Sequence, residues 1–179
     1  VLAGLNTKNN KVAMVTGEFY DTHRMMEASF YKGVAYVNPD IETTAITTGD
    51  WADTVKAREA CLAVIAQGYD VLFPCLDAAG AGVAAAAQDS GNVKVVGAVA
   101  DYAEDYGAKD VTAGSVVFAW DELGYRETKG ELCDGKVHVL GMAENGIRPV
   151  INMELTEEQK AIYDAAVADL LAGKIDIAD

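Results

Sequence analysis

Trp51 stands beside Asp50 in the stretch ITTGDWADT, residues 46 to 54, where an apolar run ends and a helical pattern begins. An indole next to a carboxylate can stack on a flat ligand and fix its orientation by hydrogen bonds. The alternative is that Trp51 packs over the helix start as a hydrophobic staple. Against the staple, Asp50 or Asp53 suffices to cap the helix, and a staple has no need of an indole. Phe19 and Tyr20 follow another apolar run and carry the same two readings. Asp77 and Asp101 follow two more. There a carboxylate can accept hydrogen bonds from ligand hydroxyls or amines, or cap the turn after it.

Other residues with chemical potential are less well placed. Gly80 and Gly82 in the run GAG resemble the opening of a dinucleotide-binding turn, but the third glycine is missing and alanines follow. Small residues for close helix-to-sheet packing account for them better, and a nucleotide-dependent enzyme would rest on this pair alone. His138 lies within an alternating, strand-like pattern and His23 at a helix start, neither with the signature of a nucleophile or a metal site. Nothing among the loop acids selects a pair for acid–base catalysis. Cys61, Cys75 and Cys133 have neither metal-ligand spacing nor an even count. Cys61 falls in a helical pattern and Cys75 at the end of an apolar run, which reads as two buried free thiols.

The elements that must position these residues alternate in type. Strand-length apolar runs occur at 11–17, 41–47, 70–75, 93–99, 111–117 and 137–142, and segments of helical period lie between them. A helix over 22–37 has Met26, Phe30, Val34 and Val37 on one stripe, with Gly33 allowing close approach. A second, over 53–67, turns Ala57, Cys61, Val64 and Ile65 inward and stops at Gly68. A small-residue helix follows the third strand, and Thr156 with Gln159 forms a capping box for a last helix that ends before Gly173. This order predicts an α/β domain of three layers, helices on both faces of a mostly parallel sheet. With 179 residues, 51% apolar and 23% charged, the chain is large enough for one real core.

The formal charge of −14 comes from 28 acids against 14 basic residues. No basic footprint exists for a nucleic-acid backbone, so nucleic acid is not an expected partner. No apolar run approaches the ~20 residues that span a bilayer. The first six residues, VLAGLN, read as the last turn of a helix whose beginning is absent, so the sequence is expected to be a piece of a longer protein. In a parallel sheet, ligands bind outside the carboxyl ends of the strands. Those loops are 17–22, 48–53, 76–82 and 100–105, each with an acid and three with an aromatic. Such a composition suits a small-molecule pocket.

Three motifs carry a resemblance to a known family. They are GVAYVNPDI at 33–41, the turn GDWAD at 49–53, and the helix-to-strand joint QGYDVLF at 67–73. Together they resemble the basic membrane protein family of ABC-transporter substrate-binding lipoproteins, which includes purine nucleoside receptors. The resemblance runs over most of residues 5 to 172. It implies a type I periplasmic-binding-protein fold, two α/β lobes joined by a hinge that close on a ligand, with this chain almost entirely in the second lobe.

On that comparison residues 1–10 end a helix of the first lobe and 11–118 form the ligand-binding second lobe. The chain would cross the hinge near Ser115 to Phe118, and 119–135 would supply a helix packing on the first lobe. Residues 136–179 would return with a strand and the closing helix. The family's stacking aromatic falls on Trp51. Its ribose-approaching loop falls on Asp77 to Gly80, where Asp77 and Ala78 replace glycines. Of an acid pair after the fourth strand, the first position is Val99 and the second Asp101, and a ribose-binding lysine falls on Phe118. Losing two polar contacts leaves a free nucleobase or another flat heterocycle as plausible a ligand as a nucleoside.

The resemblance thus implies a ligand site of Trp51, Asp50, Phe19, Tyr20, Asp77, Ala78, Gly80, Asp101 and Phe118, with no cofactor, metal or catalysis. The expected partners are a small flat molecule and an ABC permease. The expected place is extracytoplasmic, held at the membrane only through an N-terminal lipid anchor outside this sequence. The competing expectation is a cytoplasmic ligand-sensing effector domain of a regulator with the same fold.

Overall fold

The computed structural model of the chain describes residues 1–175. Its elements run α1 (Leu2–Asn6), β1 (Lys11–Thr16), α2 (Asp21–Val37), β2 (Glu42–Thr47), α3 (Thr54–Ile65), β3 (Val71–Cys75) and α4 (Gly80–Ser90). They continue as β4 (Lys94–Val99), α5 (Tyr102–Asp105), β5 (Thr112–Phe118), α6 (Trp120–Thr128), β6 (Ile147–Ile151) and α7 (Glu157–Leu171). The six strands form one sheet in the order β2-β1-β3-β4-β5-β6, parallel except for β6. The expected three-layer α/β/α architecture is the one observed.

Two-sided burial explains why the central strands read as continuous apolar runs and not as alternating ones. In β1, Ala13 and Val15 join the core under α3 and α4, while Val12 and Met14 join the core under α1, α2 and α7. Val12 and Val15 are both fully buried, each contributing about 1.5–3 kcal/mol relative to exposure. β2, an edge strand, is half-exposed, and its polar run of threonines suits that place.

Helix ends follow the expected chemistry. Gly68 adopts φ +93° after α3, with its N–H on the Ile65 carbonyl and the Tyr69 N–H on that of Val64, a left-handed stop only glycine makes without strain. Thr156 and Gln159 form the reciprocal capping box. On α2 the core stripe holds Phe30 and Val34, and the Gly33 Cα lies against Val1, so α1 crosses α2 closely there. Leu2 and Ala3, in the segment the resemblance assigns to another lobe, are buried in this domain's core. Asp70, itself buried, accepts from the Thr7 hydroxyl at 2.5 Å and from the Lys8 and Asn9 N–H groups, clamping the α1–β1 turn to the start of β3.

One strand is misplaced in the sequence reading. Residues 137–142 are not a strand; Val137 and Val139 are 92% and 82% exposed in an irregular segment, and the sixth strand is β6 at 147–151, antiparallel to β5. The first segment alternates like a strand, while the second carries Arg148 and Pro149 and has no such pattern. Proline is tolerated here because β6 is an edge strand and its missing donor needs no partner strand. His138 is therefore no strand residue. Its Nε2 lies 2.7 Å from the Asp134 carboxylate.

The glycine pair has a steric cause. A Cβ on Gly82 would lie 2.1 Å from the Thr54 carbonyl oxygen, and one on Gly80 would lie 2.3 Å from the Tyr102 hydroxyl. Gly82 thus permits α3 and α4 to touch backbone to backbone, so the small residue serves helix-to-helix contact where helix-to-sheet contact was expected. The N–H groups of Gly80, Ala81 and Gly82 are each bonded to a carbonyl three residues back, at Asp77, Ala78 and Ala79. They are not offered to a phosphate, which removes the basis for a nucleotide-binding turn.

Candidate functional site

Strand order 2-1-3-4-5 places the topological switch between β1 and β3, where chain direction from the first strand diverges and a crevice opens at the carboxyl ends. Trp51 occupies the rim of that crevice. It belongs to the β2–α3 loop, yet its indole lies over Gly17 at the end of β1, so close that a Cβ there would meet Cδ2 at 2.5 Å. Its carbonyl accepts the Ala79 N–H at 3.1 Å, tying it to the loop after β3. One residue thereby touches both sides of the switch point.

The turn holding it is built by its neighbours. Asp50 Oδ1 accepts the N–H groups of Ala52 and Asp53 at 2.8 and 3.0 Å. Those backbone bonds, Ala52 first and then Asp53, hold the Asp50 carboxyl below the usual aspartate range. Asp53 caps α3 by accepting from Val55 and Lys56 at 3.0 Å each. A staple would pair the residue before the cap with the fourth helical residue, here Ala52 with Ala57. Trp51 lies outside that pair, and the staple reading of it falls on geometry. Its indole is half-buried and packs partly on the core beneath α3 and α4.

Two more rings join it. Tyr20 is stacked with Trp51, centroids 6.2 Å apart and planes within 15°. His23, one turn into α2, lies 4.7 Å from the indole at 44° and 5.8 Å from Tyr20. Tyr20 donates to Glu18 at 2.9 Å, and that acceptor raises the phenol's pKa. The sequence reading passed over His23 because it sought a nucleophile or a ligand set. The available signal was spacing, since residues three apart at a helix start share a face.

The remaining sequence candidates distribute around this cluster. Phe19 is close in sequence but turns to Arg24, whose guanidinium lies 4.9 Å from its ring. Asp77 and Ala78 are exposed on the loop beside Trp51, and the Asp77 carbonyl accepts from Tyr106 at 3.2 Å. Gly80 is buried, its Cα facing Tyr102 and not the crevice. Tyr102 is the largest fully buried side chain, and its hydroxyl has no hydrogen-bond partner among the described residues. Asp101 lies one strand farther along and caps α5 through the Ala103 N–H at 3.1 Å. Phe118, at the end of β5, is two strands from β3, about 10 Å at the usual strand spacing. It meets Trp120 edge-on at 5.8 Å and lines a groove of about 260 Å³ with Leu123, Leu140 and Ile147. A second groove, of about 370 Å³, lies between α3 and α4 near Arg58 and Ala85. Trp51 lines neither.

Val99 is the backbone outlier of the site. At the last position of β4 it adopts φ +73°, a left-handed conformation that costs a β-branched residue of order 1–3 kcal/mol. Aspartate and asparagine adopt this region far more readily. The resemblance places an aspartate at this position, so its backbone need alone suits that residue type. Among the described residues no group of His, Cys, Asp and Glu is arranged to hold a metal, and no helix is long and apolar enough to cross a membrane.

Comparison with known proteins follows the same line. Residues 1–177 match the family model Bmp, described as ABC transporter substrate-binding protein PnrA-like. The chain is 31% identical over 170 residues to the CD4+ T-cell-stimulating antigen of Listeria monocytogenes, covering 95% of this chain and 39% of that protein. It is 23% identical over 195 residues to the ABC transporter nucleoside-binding protein BmpA of Lactococcus lactis, covering 99% of this chain and 55% of the relative. Among solved structures, a transcriptional activator of the comK gene from Bacillus halodurans superposes with a TM-score of 0.77 at 22% identity, over 96% of this chain and 62% of that one. That likeness shows the fold. The chain spans about half or less of the length of the curated relatives it matches.

Proposed function

The chain belongs to the Bmp family of PnrA-like ABC transporter substrate-binding proteins, and from that premise we propose that it forms the Trp51-bearing lobe of an extracytoplasmic solute-binding protein. The ligand is a small flat heterocycle, a purine nucleoside or a nucleobase, stacked on Trp51 and closed over by hinge motion against a second lobe. The observation that carries this reading is Trp51 itself. It is held over Gly17 at the sheet's switch point, bonded to the loop after β3 and not engaged in capping α3.

In this reading residues 11–118 and 136–179 make the ligand-binding lobe. Residues 119–135 meet the other lobe, in keeping with α6 burying none of its residues here. Tyr20 flanks the stack, and Asp50 keeps Trp51 in place. Asp77 and Asp101 offer polar anchors, and Phe118 closes the wall at the hinge side. The protein binds and performs no chemistry, and it hands its ligand to an ABC permease at a membrane to which a lipid anchor outside this chain holds it. The relative from Lactococcus is named as nucleoside-binding, which motivates the purine class.

Calorimetry and indole fluorescence on the natural full-length protein test this with adenosine, adenine and further flat heterocycles. Binding that falls about tenfold or more in Trp51→Ala, with the melting temperature of the variant near wild type, is the expected result. Absence of binding across the set, or binding indifferent to Trp51→Ala, overturns it. An effector-domain reading has the same site and differs in what is joined to the chain; a helix-turn-helix there would replace transport by regulation.

A further inference from the structure

The four loops around Trp51 carry eight carboxylates and no lysine or arginine. Glu18 and Asp21 are in the first, Asp50 and Asp53 in the second, Asp77 in the third, and three more lie between 101 and 105 in the fourth. The loops at the opposite end of the sheet hold Asp40, Asp70 and Asp110 against Lys8 and Lys109. Of the two ends of the sheet, the one that carries Trp51 and Tyr20 is therefore the acidic one.

Helix N-termini explain part of this. α2, α3 and α4 begin here, each equivalent to roughly half a positive charge, and Asp53 and Asp101 serve as caps. The only cations in the first turns are Arg24, placed over the Phe19 ring, and Lys56, 3.8 Å from Asp53. Three half-charges and two cations leave eight carboxylates well in excess. Capping does not discharge an acid, because a carboxylate that accepts N–H bonds stays ionised. Asp77, exposed on the loop beside Trp51, makes no side-chain hydrogen bond among the described residues. A crevice lined with one sign of charge concentrates ligands of the other sign. The faces of Trp51 and Tyr20 add to this, since an aromatic face attracts a cation that lies over it.

We propose that the site selects a planar ring bearing a positive charge and rejects the same ring bearing a negative one. The selectivity deepens the stacking reading above and rests on it. Ring stacking on Trp51 supplies the common affinity, and the acidic rim, which includes Asp77 on the loop bonded to the Trp51 carbonyl, discriminates by charge.

Three small rings of nearly one shape test this: nicotinamide (neutral), 1-methylnicotinamide (cationic) and nicotinate (anionic). Each is titrated calorimetrically into the natural full-length protein at pH 7, at low and at high salt. The expected order is cation, neutral, anion, with the cation bound about tenfold or more tightly than the anion at low salt. The gap narrows as salt screens the rim, and Asp77→Asn narrows it by weakening the cation more than the anion. Anion binding equal to or tighter than cation binding overturns the charge selectivity and leaves the stacking site standing. A cation preference unmoved by both salt and Asp77→Asn also overturns it. No binding by any of the three, together with none by adenine or adenosine, overturns the stacking reading and this proposal with it.

Discussion

Replacing Gly17 by alanine tests the placement of Trp51 without touching the tryptophan. Gly17 does not have a positive φ, so its backbone accepts alanine unstrained, and the only consequence is the new methyl. That carbon would lie 2.5 Å from Trp51 Cδ2, 2.6 Å from Cε2 and 2.9 Å from Cε3. Ordinary carbon contacts are ~3.5–4.0 Å, so the ring must withdraw by about 1 Å. The indole cannot shift freely with its backbone, because Ala79 N–H is bonded to the Trp51 carbonyl and Asp50 holds the turn. The side chain must rotate instead, opening its contact with Tyr20 and His23. Crowding of this kind costs about 1–3 kcal/mol, and loss of a well-oriented stack costs a ligand about 1 kcal/mol or more.

Gly17→Ala is therefore expected to shift the Trp51 emission to longer wavelength, read in a Trp120→Phe background, and to weaken adenosine binding several-fold. Gly17→Ala combined with Trp51→Phe should recover part of the lost stability, since the smaller ring vacates the space that the methyl needs. Unchanged emission and unchanged affinity in Gly17→Ala would refute the claim that the indole is seated on that glycine.

Gly82→Ala should be more damaging, by about 2–3 kcal/mol in chemical denaturation, because the methyl would meet the Thr54 backbone, which cannot rotate aside. An effect below ~0.5 kcal/mol would mean that α3 and α4 do not touch there. Acid should loosen the Trp51 turn. The Asp50 carboxyl is held below its ordinary value of 3.8 by the Ala52 and Asp53 N–H groups. Its contribution is therefore present above the unfolded value and lost as pH falls through the lowered folded one. Denaturation midpoints measured from pH 7 down to pH 3 should fall less steeply in Asp50→Asn than in wild type.

The strands β1 to β5, the helices α2 to α4 and the caps at Gly68 and Thr156 were legible in the chain, because two-sided burial and helical periodicity write themselves into residue order. So was the position of Trp51 at the end of a strand, whereas the short α5 was read as a loop. The exceptions have physical causes. Residues 137–142 alternate like a strand but pair with none among the described residues, and the sixth strand is the edge strand β6, whose Arg148 and Pro149 hide its pattern. His23 gave no chemical signature, and its meaning comes from the rings it meets.

Residue order alone determined an α/β domain with acidic, aromatic loops at one end of its sheet, since local period and composition suffice for that. Tertiary structure decided what those loops do for one another. The strand order set the switch point between β1 and β3, and Gly17 became the seat of an indole thirty-four positions away. It separated Asp50 and Asp53, whose carboxylates hold backbone, from Asp77, whose carboxylate has no hydrogen-bond partner among the described residues. These are contacts across the sheet, fixed by pairing between distant segments, and no local pattern records them.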